Sequence, residues 1–232
     1  MRNSVTLEFM KREILITSDG STTIHLPEWN EQYHSKHGAI QEAYHVFIRT
    51  GFDKVLEQKK ETVSILEIGF GTGLNAFITF LETLETAVNV NYVGVEAYPV
   101  VAEEVEKLNY VSELKAVKQQ ADFDKMHSLS WEDSHCISDR FKFTKRKQFF
   151  EDISDENHFD LIYFDAFGAQ NQPKLWTVAI FQKMYMALKK EGVLVTYSAK
   201  GSVRRAMQEV GFVVERLPGP PGKREMLRAT KK

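Results

Sequence analysis

The sequence has almost no cysteine. One residue, Cys136, in a chain of 232 leaves no partner for an intramolecular disulfide and no cysteine cluster for a zinc site. No apolar run approaches the ~18 residues that cross a bilayer. The first residues, MRNSVTLEFMKREIL, contain no apolar stretch of the kind that marks a secretory leader. These absences predict a cytoplasmic protein with no membrane partner. There is no Gly-Lys-Ser/Thr and hence no P-loop, and no G-x-S-x-G elbow of a serine hydrolase. The seven histidines (His25, His34, His37, His45, His127, His135 and His158) show no metal-ligand spacing, so no metal is expected. Internal repeats and low-complexity stretches are also lacking.

What is present is an ordinary globular balance, 43% hydrophobic and 27% charged. The net charge of -2 conceals an asymmetry. Residues 1–188 carry a net charge of -9 and residues 189–232 a net of +7. A local positive field is what a polyanion would meet, although a basic run is also an ordinary solvated face.

The chain opens with a β-hairpin pattern, ILITSDGSTTIHL, turning at Asp19-Gly20. A helical stripe of Ile40, Tyr44, Phe47 and Ile48 follows, with Gly51 in the stop position. From Val63 the pattern becomes strand-helix alternation, which predicts a mostly parallel sheet covered on both faces. VSILEIG, NYVGVEAY, FDLIYFDAF and GVLVTYSA read as strands. NAFITFLETLE reads as a helix, as does a segment running through Leu108. KLWTVAIFQKMYMALKKEG is another, stopped by Gly192, and SVRRAMQEVG a shorter one. FVVERL and REMLRAT follow one another without a helix, which predicts an antiparallel C-terminal edge pair. Within residues 109–158 only one strand, Arg140–Arg146, is legible. The organisation expected is an extension over residues 1–62 and an α/β domain over 63–232.

The densest chemical signal is Glu67-Ile68-Gly69-Phe70-Gly71-Thr72-Gly73-Leu74-Asn75, between a strand and a helix. Glycines there let the backbone turn sharply and approach a ligand. A dinucleotide loop places glycine at the sixth position of this run, where Leu74 stands, and that argues against a pyrophosphate site. The run resembles motif I of the Rossmann-like class I S-adenosyl-L-methionine (SAM) methyltransferases. Glu96 ends the next strand, where a carboxylate accepts hydrogen bonds from ribose hydroxyls; NAD and SAM proteins share this device. The candidate cofactor residues are therefore Glu67, Gly69, Gly71, Gly73, Asn75 and Glu96.

Asp165 closes another strand, with Phe167 two residues on. Strand carboxyl ends form the ligand crevice of a parallel sheet, so Asp165 and Phe167 are the candidate catalytic pair. The aspartate would hold an amine and the ring would wall the site. With an ordinary pKa of ~4, Asp165 would be a poor base for an ammonium, so the proton is expected to leave to water or through a relay. Lys200, Arg204 and Arg205 begin the next helix, and Lys223 and Arg224 follow a stiff Pro-Gly loop. These five cations are the candidate nucleic-acid contacts.

GFGTGLN (69–75), DAF (165–167), PKLW (173–176), YSAKGSVRRAMQEVGF (197–212) and GKREMLRA (222–229) together resemble the MnmC-like family. That family is the methyltransferase domain of the tRNA 5-methylaminomethyl-2-thiouridine biosynthesis enzyme. YHSKHGAIQEAYHVF (33–47) matches in character. The resemblance implies methyl transfer from SAM to the 5-aminomethyl group of the wobble (2-thio)uridine of tRNA. It also implies a stand-alone methyltransferase, with the family's FAD-dependent oxidase a separate partner. Relatives place a Gly-Asp pair near Lys145–Phe149, against the adenine; this chain reads TKRKQFF there, leaving Asp122 or Asp124 as substitutes. The same residues also suit a SAM enzyme acting on a small-molecule or protein amine, or a non-catalytic RNA-binding protein of this fold.

Overall fold

The computed structural model describes residues 10–232. The part of the predicted extension in residues 1–9 lies outside the described residues. Strands β1 (Glu13–Ile16), β2 (Thr22–Leu26) and β3 (Glu31–Gln32) form a small antiparallel sheet. Its first turn is longer than a two-residue hairpin, because Ile16 pairs with Thr22. Asp19 braces that turn by accepting hydrogen bonds from Thr17 Oγ1 and the amides of Ser21 and Gln41.

Helical conformation then runs unbroken over residues 39–56. It comprises α1 (Ala39–Ala43), a π-helical stretch (Tyr44–Phe52) and α2 (Asp53–Leu56). Gly51 does not stop it. A Cβ at Gly51 would lie 2.9 Å from Val195 Cγ2 and 3.4 Å from Leu161 and Tyr163, so glycine here lets the helix sit directly on the sheet.

The main sheet contains β4 (Thr62–Ile68), β5 (Asn89–Val95), β6 (Ser134–Ser138), β7 (Phe141–Arg146), β8 (Phe159–Phe164), β9 (Leu188–Thr196), β10 (Phe212–Pro218) and β11 (Glu225–Lys231). Their order is β10-β11-β9-β8-β4-β5-β7-β6. β7, β5, β4, β8 and β9 are mutually parallel. The final pair is antiparallel as expected, with β11 inserted between β9 and the edge strand β10. Around the sheet lie α3 (Leu74–Leu84), α4 (Ala102–Val105), α5 (Tyr110–Glu113), α6 (Gln120–Ser128), α7 (Val178–Ala187) and α8 (Gly201–Glu209).

Two boundaries differ from the sequence pattern. α4 is a single turn and ends before Leu108. α7 ends at Ala187, not at Gly192, because Leu188 already pairs with Phe159 on β8. The local preference for helix in ALKK yields to that ladder.

Alternation along β4 feeds two cores. Val63 and Ile65 join the 39–56 helix and α3 on one face. Leu66 and Ile68 join α7 and α8 on the other. Each such buried side chain contributes about 1.5–3 kcal/mol.

Candidate active site

Register places the site. Ile68 on β4 pairs with Val95 on β5 and with Phe164 on β8. The residues that follow, Gly69, Glu96 and Asp165, are therefore the first beyond the ladder on three adjacent strands. Tyr163 pairs with Val195, which brings Tyr197 to the same level. These ends open into a cavity of about 370 Å³. The β1–β3 sheet roofs it. Tyr33 and Trp29 pack edge-on against Phe167, at 4.9 and 5.9 Å between ring centroids. Arg12 ties the roof down through Glu104 (2.9 Å) and the Tyr98 carbonyl (3.3 Å).

The loop between β4 and α3 turns on three left-handed glycines: Gly69 (φ 91°), Gly71 (φ 50°) and Gly73 (φ 74°). A Cβ at Gly69 would lie 2.8 Å from the Asp165 carbonyl oxygen, a contact no side chain tolerates. The Glu96 carboxylate accepts from the Gly71 amide at 3.1 Å through Oε2 and from the Tyr98 amide at 2.9 Å through Oε1. Burial raises its pKa, against the pull of these two bonds. Glu96 lines the cavity.

Asn75 joins two carboxyl groups. Its Nδ2 donates to Glu67 Oε1 and to Asp165 Oδ2, both at 2.9 Å. Burial pushes Glu67 well above the usual carboxylate range. Burial, followed by the nearby Glu42, pushes Asp165 up to about 7. The expectation of an ordinary aspartate pKa is therefore corrected: Asp165 exchanges a proton near neutrality.

Of the predicted residues, Gly69, Gly71, Asn75, Glu96, Asp165, Phe167 and Lys223 line the cavity. Glu67 lies behind Asn75 and does not reach the wall, and Gly73 faces His127 and Phe70. Lys200, Arg205 and Arg224 are exposed, and Arg204 is half-buried. Lys223 departs from its predicted role. Its ammonium points inward, 2.5 Å from Glu42 Oε1 and 3.8 Å from the centre of the Tyr197 ring. Asp122 and Asp124 lie on α6 and do not line the cavity; Phe149, Phe150 and Glu151, just after β7, do.

Several wall residues are not singled out as site residues from sequence: Tyr98 and Glu151, and also Tyr33, His34, Glu42 and Tyr197, which lie within the segments that carry the resemblance. His34 is held between the hydroxyls of Thr23 and Thr72, each at 3.3 Å, and burial pushes its pKa down to about 4. It is a satisfied, neutral histidine.

Residues 131–232 match a family described as S-adenosyl-L-methionine-dependent methyltransferase. The tRNA 5-methylaminomethyl-2-thiouridine biosynthesis bifunctional protein MnmC of Leptospira interrogans is 29% identical over 216 residues, 86% of this chain and 32% of that protein. Its counterpart in Polaromonas naphthalenivorans is 28% identical over 219 residues, 87% of this chain and 33% of that protein. The chain is similar to MnmC. It spans about a third of the length of these MnmC relatives. Among solved structures, MNMC2 from Aquifex aeolicus superposes with a TM-score of 0.74 at 23% identity, over 98% of this chain and 72% of that one. Spermidine synthase from Thermotoga maritima gives 0.58 at 16% identity, over 97% and 70%. At these identities the structures establish the fold alone. The family match supports SAM as the cofactor and methyl transfer as the chemistry.

The residues present fit that cofactor. Three left-handed glycines in the loop, a carboxylate at the end of β5, and an aromatic wall of Tyr98 and Phe149, packed edge-on with ring centroids 6.0 Å apart, suit a methionine chain, a ribose and an adenine.

Proposed function

We propose that the protein N-methylates the 5-aminomethyl group of a wobble uridine in tRNA. The observation that carries this reading is Asp165: a carboxylate fixed by Asn75 on the wall of a cavity whose glycine loop suits SAM. Gly69, Gly71 and Asn75 hold the methionine end, Glu96 the ribose, and Tyr98, Phe149 and Glu151 the adenine. Glu67 supports Asn75 from behind, and Gly73 lets the loop enter α3.

SAM supplies an electrophilic methyl group when bound. The amine nitrogen attacks that carbon in line with the breaking carbon–sulfur bond, so the chain's task is alignment and dryness. Phe167, clamped by Tyr33 and Trp29, walls the acceptor side. An alkylammonium must first lose a proton. Its pKa of about 10 lies about 3 units above Asp165, a gap of about 4 kcal/mol that a pre-equilibrium tolerates; an ordinary aspartate would face about 6 units. Asp165 therefore takes the proton as well as orienting the amine.

Lys200, Arg205 and Arg224 offer exposed charge to the tRNA backbone, with Arg204 beside them. Lys200 Nζ donates to Gln170 Oε1 at 2.7 Å, and Gln170 Nε2 donates to Glu31 of the cavity wall at 2.9 Å. We take residues 1–62 as an extension, whose β1–β3 sheet roofs the cleft, and 63–232 as the methyltransferase domain. The tRNA assignment draws on the names of the MnmC relatives. An FAD-dependent oxidase acting as a separate partner would supply the free amine.

The test is methylation of bulk tRNA from cells lacking the protein, read by mass analysis of nucleosides. The aminomethyl nucleoside should shift to its N-methyl form with SAM present. A new methyl group on a different nucleoside would contradict the reading.

A further inference from the structure

Lys223 occupies an unusual place for a cation. It leaves the turn that joins β10 to β11, and that turn is fixed by its own backbone. The Gly219 amide donates to the Arg224 carbonyl (3.1 Å) and the Lys223 amide to the Pro220 carbonyl (2.9 Å). His45 Nε2 contacts the Pro218 carbonyl at 2.8 Å. Only the lysine stem is free to move, and its side chain keeps 33% of its exposure.

The receptor for its ammonium is built and rigid. Glu42 is only 7% exposed, and its Oε2 accepts the Ser35 amide at 2.9 Å, which aims Oε1 at the lysine. The Tyr197 hydroxyl donates to the Ala166 carbonyl at 2.8 Å, which holds the ring face toward the same point. A carboxylate and an aromatic face around one site is the chemistry that recognises an alkylammonium. Glu42, Tyr197, Lys223 and Asp165 line one cavity. A buried carboxylate without a cation is costly, so a group that expels Lys223 must bring a positive charge of its own.

We propose that Glu42 and Tyr197 form the subsite for the acceptor's alkylammonium group, and that the Lys223 ammonium fills this subsite until the acceptor displaces it. A neutral group cannot make the exchange. The arrangement therefore selects cationic amines, and it keeps the buried carboxylate paired in the free protein. The inference rests on the amine-acceptor reading above, but binding is separable from methyl transfer.

The experiment is calorimetric titration of the full chain, without cofactor, with 5-aminomethyluridine and with uncharged 5-hydroxymethyluridine. Removing the competing ammonium in Lys223→Met should tighten the aminomethyl nucleoside about 5- to 10-fold and leave the hydroxymethyl one unchanged. Glu42→Gln should weaken the aminomethyl nucleoside at least about 10-fold. If Lys223→Met does not fold, Glu42→Gln carries the test, because a strut between loop and helix would not alter nucleoside affinity. Equal or weaker binding by folded Lys223→Met, or an unchanged affinity in Glu42→Gln, would overturn the inference. Those results leave the methyltransferase reading standing, whereas absent methylation with the predicted binding pattern would do the reverse.

Discussion

Asn75 Nδ2 lies 2.9 Å from Asp165 Oδ2, a bond that ties the first turn of α3 to the end of β8. The same nitrogen reaches Glu67 on β4. The glycine loop is thus framed by one amide between two carboxyl groups, Glu67 buried and Asp165 on the cavity wall, which joins cofactor cradle and acceptor aspartate. Asn75→Asp would place three carboxyl groups together. It should lower both SAM affinity and thermal stability, measured by titration and melting.

Asp165 sets the pH dependence. Because burial raises its pKa to about 7, kcat/KM should climb as pH rises through neutrality, and Asp165→Asn should lose at least about 100-fold and the limb itself. Stability moves the opposite way. A carboxyl group whose folded pKa is raised stabilises the fold while protonated, and that contribution fades from pH ~4 through about 7. Asp165→Asn should therefore melt at nearly the wild-type temperature at pH 4 and a few degrees above it at pH 8, by about 2–4 °C per kcal/mol.

Gly69 and Gly71 differ in what they tolerate. Gly69 faces a backbone carbonyl at 2.8 Å, whereas a Cβ at Gly71 meets the Tyr33 ring edge at 3.1 Å. Gly69→Ala should destabilise by about 2–4 kcal/mol and abolish SAM binding; Gly71→Ala should cost about 1–2 kcal/mol and weaken it. Denaturant unfolding and calorimetry read the two effects separately.

Glu96 serves both the loop and the ribose. Glu96→Ala orphans the Gly71 and Tyr98 amides and removes the acceptor, and SAM affinity should fall about 10- to 100-fold. Glu96→Gln should fall less, because the amide oxygen still accepts.

The exposed cations should act through salt. Replacing Lys200, Arg205 or Arg224 by Ala should lower the slope of log affinity for tRNA against log salt by about 0.7–0.9 for each phosphate no longer neutralised. With tRNA whose wobble uridine lacks the aminomethyl group, Lys223→Met should leave the slope unchanged, because Lys223 then stays on Glu42. Filter binding over a salt series checks both.

Much of the site is legible in the sequence because a parallel sheet fixes where strand ends meet. Gly69, Glu96 and Asp165 are distant in sequence, yet each follows a readable apolar strand. Phe167 and Asn75 come with them. The inward turn of Lys223 is not legible, because sequence shows a charge but not its partner, and Glu42 lies 181 residues away. Gly51 reads as a helix stop for a related reason: its role depends on Val195, across the fold. The roof residues Tyr33 and Tyr98 belong to irregular segments whose positions are set by tertiary packing, with no periodicity to announce them. The Leu188–Phe159 pairing likewise overrides the local helical pattern that runs on to Gly192.

The most direct measurement is calorimetric titration of the purified protein with SAM and, separately, with NADH. One site of micromolar affinity for SAM, lost in Gly69→Ala and absent for NADH, is the predicted result. Binding of NADH at this cleft, or no binding of SAM by the folded protein, would contradict the account.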